Sequence, residues 1–428
     1  MEALMEYQQI YERMLKEHYF LSREMIYDAK VGVHLSAYEY ERFLSFKKEY
    51  LKEHKEIFHE LPLKTFNDAP LFYADCFELD YMARTYAINV LDDFVENGGF
   101  FASKHKQDLN TSRIYSEVEG SLNIESVPTK RKVVEALSKN EREPANRNEQ
   151  IIKNMIEGIR FVSTTPELNE DNLFKLYTIL SSGCLDEEDM LIDEHKYRHD
   201  GVEVGGYHGC PVGMIKECMD SFFSFINDNL VRSEYGSYLP HIAHYYLVYI
   251  HPYFDYNGRM ARMLSYWVSL LQKETVVPPL VSEAINQTKN KYYLSLSETR
   301  DAHNDLTYFL DYLYGASLKC FFAYKNVEKI YLKLRNEAST VLSPMERLYL
   351  KKILMSAKGK FSHNDFTRWV GINLTKQGAL KILNAFEDDG VLLSTISKSK
   401  NKLFEINKKF VFYTCVTMAD VYQKADNI

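Results

Sequence analysis

Two apolar runs, Leu239–Ile250 and residues 261–272, flank the stretch His251-Pro-Tyr-Phe-Asp-Tyr-Asn-Gly-Arg-Met-Ala-Arg262. Both runs are rich enough in tyrosine and leucine to be buried helices. Whatever fold the chain adopts must therefore place a polar turn between two core helices, and such a turn is where a site gets built. The fold class is accordingly mainly α.

Each polar residue of the turn has a chemical use. Histidine has the unperturbed pKa best suited to proton abstraction near neutrality, which makes His251 a candidate general base. Asp255 is the only acid of the stretch and supplies the hard oxygen that Mg²⁺ prefers when it shares its shell with phosphates. Asn257-Gly258 can turn successive N–H groups toward one point at a helix start, an anion nest. Arg259 and Arg262 stand three apart, so on a helix they share a face and can fork onto phosphate oxygens. Taken singly, each has a plainer use: a helix-ending His, a turn sequence, a solvated arginine face. It is the conjunction between two core helices that points to a site.

The stretch resembles the Fic (Fido) family, whose motif runs His-Pro-Phe-x-Asp/Glu-Gly-Asn-Gly-Arg-x-x-Arg. His251, Pro252, Asp255, Asn257, Gly258, Arg259 and Arg262 match it. Tyr253 replaces Phe, and Tyr256 replaces Gly. The second change matters, because glycine reaches φ > 0 freely, whereas a Tyr held there costs roughly 1–2 kcal/mol. Its ring either points away from the nest or covers it.

The resemblance implies a protein adenylyltransferase with ATP as substrate and Mg²⁺ on Asp255. His251 would take the proton of a target hydroxyl, Asn257 and Gly258 would hold phosphate, and Arg259 would steady the leaving phosphates. Arg262 would hold the γ-phosphate end, and Tyr292 and Tyr293 would line the nucleotide pocket. It implies further that residues 198–212, where Val202 and Val204 alternate between Gly pairs, form a β-hairpin flap on which a target protein docks by strand addition. The run at 112–120 resembles the family's inhibitory helix, with a Ser/Thr-x-x-x-Glu-Gly/Asn pattern. Glu119-Gly120 fits its end, Tyr115 stands where Ser/Thr is expected, and Glu119 is thereby expected at Arg262. Transfer of another group (UMP, phosphate, phosphocholine), AMP removal, and a nucleotide sensor without turnover all reuse the same parts and stay open.

At 428 residues the chain exceeds one ordinary core. We divide it into an N-terminal helical region (1–149), a Fic core (150–318), a further module (340–410) and a tail (411–428) that is apolar enough to pack as a helix. In the module, Ser343-Pro344-Met-Glu346 is a helix start with Ser as N-cap and Pro at N1. Helices to Met355, from Ser362 to Gly371 and over 374–389 precede two short strands, an order that resembles a winged helix-turn-helix. Thr375, Lys376, Gln377, Lys381, Lys398, Lys400 and Lys402 make 362–402 locally basic, yet Glu387, Asp388 and Asp389 oppose this. Nucleic-acid contact there is open but not favoured over protein docking. A net charge of −8 gives no general attraction to nucleic acid or anionic membrane. No apolar run is long enough to span a bilayer, the first residues lack signal-peptide features, and six scattered cysteines without a Cys-x-x-Cys pair read as reduced thiols. A cytoplasmic protein is expected, with a homodimer allowed. The histidines at 195, 199, 208, 241 and 244 match no strong zinc spacing.

Overall fold

The computed structural model describes residues 36–67, 69–86, 88, 104–231, 235–272, 281–370, 374–397 and 400–414. The protein is mainly helical, and its strands are short antiparallel pairs. It divides into a larger unit reaching Tyr314 and a smaller one beginning at Gly315. Among the described residues, no helix is long and apolar enough to cross a membrane.

The larger unit begins with α1 (Ala37–Glu53), β1 (Phe58–Glu60), β2 (Phe72–Ala74) and α2 (Phe77–Tyr86). Then come α3 (Lys104–Ile124), α4 (Arg131–Ser138), α5 (Arg147–Thr164) and α6 (Glu170–Ser181). The hairpin β3 (Glu203–Val204) and β4 (Tyr207–His208) leads to α7 (Val212–Asn229), α8 (Leu239–Ile250), α9 (Asn257–Leu271), α10 (Val281–Gln287) and α11 (Lys289–Asp301). A long helix, α12 (Thr307–Glu337), comes next. The two apolar runs are α8 and α9, packed side by side in the core. Ile242, Leu247 and Ile250 on one and Met260, Leu264 and Trp267 on the other have no exposed surface. Trp267 keeps its indole N–H satisfied by donating to the Thr165 carbonyl at 2.9 Å, as a buried Trp requires. Asn146 and Asn169 cap α5 and α6 by accepting from the backbone of Glu149 and Asn172, the role for which Asn is favoured.

Two packing contacts fix α3 against the start of α10. Gly120 of α3 lies against the turn that opens α10, where a Cβ would come within 2.8 Å of Ser282 and Glu283 backbone atoms. Only glycine lets the two backbones approach so closely. Beside it, the buried Glu117 carboxylate accepts from the Ser282 N–H at 2.8 Å.

The flap is a two-residue hairpin, with Val204 paired to Tyr207. Gly205 and Gly206 both take positive φ, which the tight turn between twisted strands demands. Tyr207 ties it to α8 by donating to the Tyr249 carbonyl at 2.6 Å.

The pairing of β1 with β2 is a finding the helical periodicity of the N-terminal region does not foretell. Phe58 faces Ala74, and β2 continues through Leu306 N–H to Phe72 carbonyl at 2.7 Å. A buried Lys47–Asp305 ion pair of 2.8 Å lies beside it.

The smaller unit holds the C-terminal part of α12, then α13 (Pro344–Ser356), α14 (His363–Val370), α15 (Lys376–Asp388), β5 (Leu392–Ile396) and β6 (Lys402–Ile406). Ser343 and Glu346 form the reciprocal capping box that starts α13. Leu350, Ile353, Phe366, Leu383 and Phe404 form its dry centre. Three helices thus precede a hairpin in which Leu392 pairs with Ile406. Lys402, one of the lysines considered for nucleic acid, is already bound to Glu387 at 2.5 Å and to Asn384 at 2.9 Å. Expectations for residues 1–35, for Gly98-Gly99, for 275–279, for Lys398 and for the tail past 414 lie outside the described residues; residues 411–414 are not helical.

Candidate active site

The turn between α8 and α9 is bounded by two non-glycine residues in the left-handed region: His251 at φ 55°, ψ 59° and Tyr256 at φ 70°, ψ −3°. Such conformations are kept only where surroundings over-determine them, and here they do. The Asn257 side chain clasps Tyr253, accepting from its N–H at 3.1 Å and donating to its carbonyl at 2.8 Å. Asp255 accepts from the Tyr256 N–H at 2.6 Å. From the base of the flap, buried Arg198 donates to the His251 carbonyl at 2.8 Å, and its own backbone N–H to the Pro252 carbonyl at 2.9 Å. Arg198 is a positioning residue that sequence reading misses, because nothing near it in the chain signals a contact fifty residues away.

Burial pushes the His251 imidazole down to about 4, a backbone hydrogen bond at Val248 opposing it. The ring is therefore neutral at pH 7 and able to accept a proton. The Asp255 side chain is 59% exposed and makes only long contacts, about 3.4 Å, to Arg259. Arg259 is nearly buried, yet among the described residues its Nε and Nη1 have no hydrogen-bond partner. Two orphaned donors on a buried cation are costly unless a ligand completes them.

What holds Arg259 in place is the ring of Tyr256, whose centroid lies 3.4 Å from the guanidinium carbon. The ring points into the protein, edge-on to Tyr177, which stacks on Tyr253 at 4.2 Å. The ring leaves the nest uncovered, while the backbone takes the left-handed conformation and not an ordinary φ. A desolvated cation–π contact is worth up to about 2 kcal/mol, which matches the roughly 1–2 kcal/mol cost of the left-handed backbone.

The other arginine is engaged by the protein itself. Arg262 donates through Nε to the Ser121 hydroxyl at 3.0 Å, and through Nη2 to the Ser121 carbonyl at 3.2 Å and the Glu125 carboxylate at 2.7 Å. The same Glu125 oxygen lies 2.7 Å from where a Cβ on Gly258 would be, so it stands against Gly258 in the first turn of α9. Burial alone would raise the Glu125 carboxyl, but Arg262, with Arg259 and Lys289, outweighs this and holds it below the usual range.

The carboxylate at Arg262 is thus Glu125, and the expectation for Glu119 is corrected. Glu119 sits six residues earlier on α3, about 240° around the helix, and pairs with Arg131 at 3.4 Å. The sequence carries the signal in Ser121-Leu-Asn-Ile-Glu125, which has a Ser at the position of the Ser-x-x-x-Glu pattern where the run ending in Glu119 has Tyr115. Gly120 makes Glu119 look like the end of the pattern, but that glycine serves the packing of α3 on α10.

Residues 167–269 match the sequence model of the Fic/DOC family, and the whole turn from His251 to Arg262 lies within that span. The chain carries a Fic domain. The chain is 29% identical to a protein adenylyltransferase Fic of Drosophila willistoni over 110 residues, 26% of this chain and 22% of the relative. It is 31% identical to one of Aedes aegypti over 102 residues, 24% of this chain and 19% of the relative. The matched segment thus spans about a fifth of these relatives' length. A crystal structure of a Fic family protein from Desulfovibrio desulfuricans G20 superposes with a TM-score of 0.47 at 17% identity, covering 78% of this chain and 97% of that one.

Ser121 and Glu125 come from outside the residues matched to the Fic domain, and they close over Arg262 and Gly258 at the start of α9. Of the two tyrosines expected to line a nucleotide pocket, Tyr292 is buried with its hydroxyl 3.0 Å from His244 Nε2, within electrostatic reach of Arg262 and Glu125. Its neighbour Tyr293 is 47% exposed and feels the charges of Glu125 and Arg262.

Proposed function

We propose that the protein is an adenylyltransferase that moves AMP from ATP to a Ser, Thr or Tyr hydroxyl of a target protein, restrained by its own Glu125. The observation that carries this reading is the position of the Glu125 carboxylate, over Gly258 and in the fork of Arg262. The site is built to receive an anion and holds one of its own. The unpartnered nitrogens of Arg259 support a second anionic group beside it. The matches to proteins named adenylyltransferases favour AMP as the group moved.

In this reading the phosphates of ATP replace Glu125 on Arg262 and Gly258, and Arg259 takes the charge that develops on the departing pyrophosphate. Neutral His251 takes the proton of the target hydroxyl, whose oxygen attacks the α-phosphorus as the bond to the β-phosphate breaks. General-base help of this kind is worth about 10²–10⁴ in rate. Asp255, a single exposed carboxylate, suits Mg²⁺, which takes one or two protein carboxylates and fills its shell with phosphate and water oxygens. Bound there, Mg²⁺ would supply neutralisation of phosphate charge. The target segment adds to the flap by backbone pairing along exposed Glu203 and Val204.

Labelling with ATP carrying a marked α-phosphate tests the reading. Glu125→Gly is expected to raise labelling of itself or a target at least about tenfold, equivalent to roughly 1.4 kcal/mol, and His251→Ala in that background to abolish it. A folded Glu125→Gly protein that labels nothing with ATP but does so with another nucleotide would overturn the choice of AMP. Labelling that survives His251→Ala would overturn the role of His251.

A further inference from the structure

Cys210 and Cys218 meet in the interior with their Sγ atoms 3.9 Å apart. Cys218 lies on the second turn of α7, and Cys210 two residues before that helix, at the end of the flap. Both are fully buried, but Cys210 lies only one residue below the surface, between half-exposed Gly209 and exposed Pro211. The two thiols are in sulfur–sulfur hydrogen-bond contact, in which either can be the donor. Either sulfur can thus serve as nucleophile once deprotonated, with the other in reach as resolving thiol.

The backbone around Cys210 is wired to the turn that carries the candidate base. The Cys210 N–H donates to the Ile250 carbonyl at 3.1 Å. Its carbonyl accepts from Arg198, which also donates to the His251 carbonyl at 2.8 Å. A Cβ on neighbouring Gly209 would lie 3.2 Å from the His251 Cβ. A bond that takes the sulfurs from 3.9 Å to about 2.05 Å would tie this segment covalently to α7.

We propose that Cys210 and Cys218 are a reversible disulfide site that ties the base of the flap to α7 and passes oxidation on to the His251 turn. With a peroxide as oxidant, the Cys218 thiolate attacks one oxygen, forming S–O as O–O breaks, and the released hydroxide leaves as water. The Cys210 sulfur then attacks Cys218 Sγ, forming S–S as S–O breaks, and a second water leaves with the Cys210 proton. Two thiols thus give two electrons to one peroxide, and a dithiol reverses the step.

The bond is independent of the function proposed above, whereas its effect on transfer rests on that function, so each has its own readout. The folded full-length chain is treated with hydrogen peroxide, its remaining thiols are alkylated, and its peptides are mapped. The expected result is a link between the Cys210 and Cys218 peptides that dithiothreitol removes and that Cys218→Ala lacks. Unmodified thiols, over-oxidation without the link, or a link seen only after unfolding would overturn the site. In the Glu125→Gly background, oxidation should lower labelling about tenfold or more, the scale expected when a catalytic group is misplaced, with recovery on reduction and no such loss in Cys218→Ala. A linked protein that labels as before would overturn the coupling to His251.

Discussion

Arg262 and Arg259 stand one turn apart on α9 and live in opposite conditions. Arg262 is held by Ser121 and Glu125, delivered by a helix some 140 residues upstream. Arg259 rests on a tyrosine ring, touches Asp255 only at about 3.4 Å, and has two nitrogens with no partner among the described residues. One cation of the pair is completed by the protein's own carboxylate and the other is not. In the function proposed above, that difference puts restraint at one end of the site and nucleotide binding at the other.

Removing each arginine should break the pair in opposite ways. Arg262→Ala leaves Glu125 without its partner. Breaking a buried pair costs about 3–5 kcal/mol, and the low end applies because the Glu125 side chain is 32% exposed. Thermal or denaturant unfolding should register that loss. Arg259→Ala forfeits little more than the cation–π contact, about 1–2 kcal/mol, but should abolish nucleotide transfer. Equal stability losses in the two variants would contradict the contrast.

Tyr256 is the next test. Tyr256→Gly relieves the left-handed backbone but empties a buried ring site. Large-to-small losses of about 3–5 kcal/mol, less the roughly 1–2 kcal/mol relieved, leave a net cost of about 1–4 kcal/mol. Arg259 would lose its platform, so nucleotide affinity should fall as well. Tyr256→Phe keeps the ring and should keep both properties. A Tyr256→Gly protein that is as stable and binds more tightly would show the ring to be an obstacle.

Proton linkage gives the smallest and most graded effect. Burial lowers His241 to about 3 and His244 well below its usual value, so the folded α8 side refuses protons that the unfolded chain takes near 6.5. Their contribution to stability is present above 6.5 and is lost as the pH falls. Glu117 on the α3 side is raised by burial to about 7. Its contribution is present below 4.5 and is lost as the pH rises through 7. Two histidines outweigh one glutamate, so melting temperature should rise from pH 4.5 to 6.5, and more steeply in Glu117→Gln. An unchanged slope in that variant would show that Glu117 does not titrate with folding.

The parts of this contrast that the sequence discloses are the local ones. The helices flanking the turn follow from apolar runs, the start of α13 from Ser343 and Glu346, and the flap from its paired glycines. Long-range pairings leave no such mark. The strands β1 and β2 are three residues each and find their partners through Asn304, Asp305 and Leu306. Arg198 and Tyr292 are fixed by contacts to distant helices. Glu125 is readable from its spacing to Ser121, but Gly120, needed for helix packing, draws the pattern to Glu119.

The central claim is that Glu125, and not Glu119, fills the phosphate end of the site. Calorimetric titration of ATP with Mg²⁺ into the wild type, Glu125→Gly and Glu119→Gly tests it directly. Glu125→Gly should bind about tenfold more tightly than wild type, equivalent to about 1.4 kcal/mol, with Glu119→Gly unchanged. Tighter binding in Glu119→Gly, with Glu125→Gly indistinguishable from wild type, would contradict it.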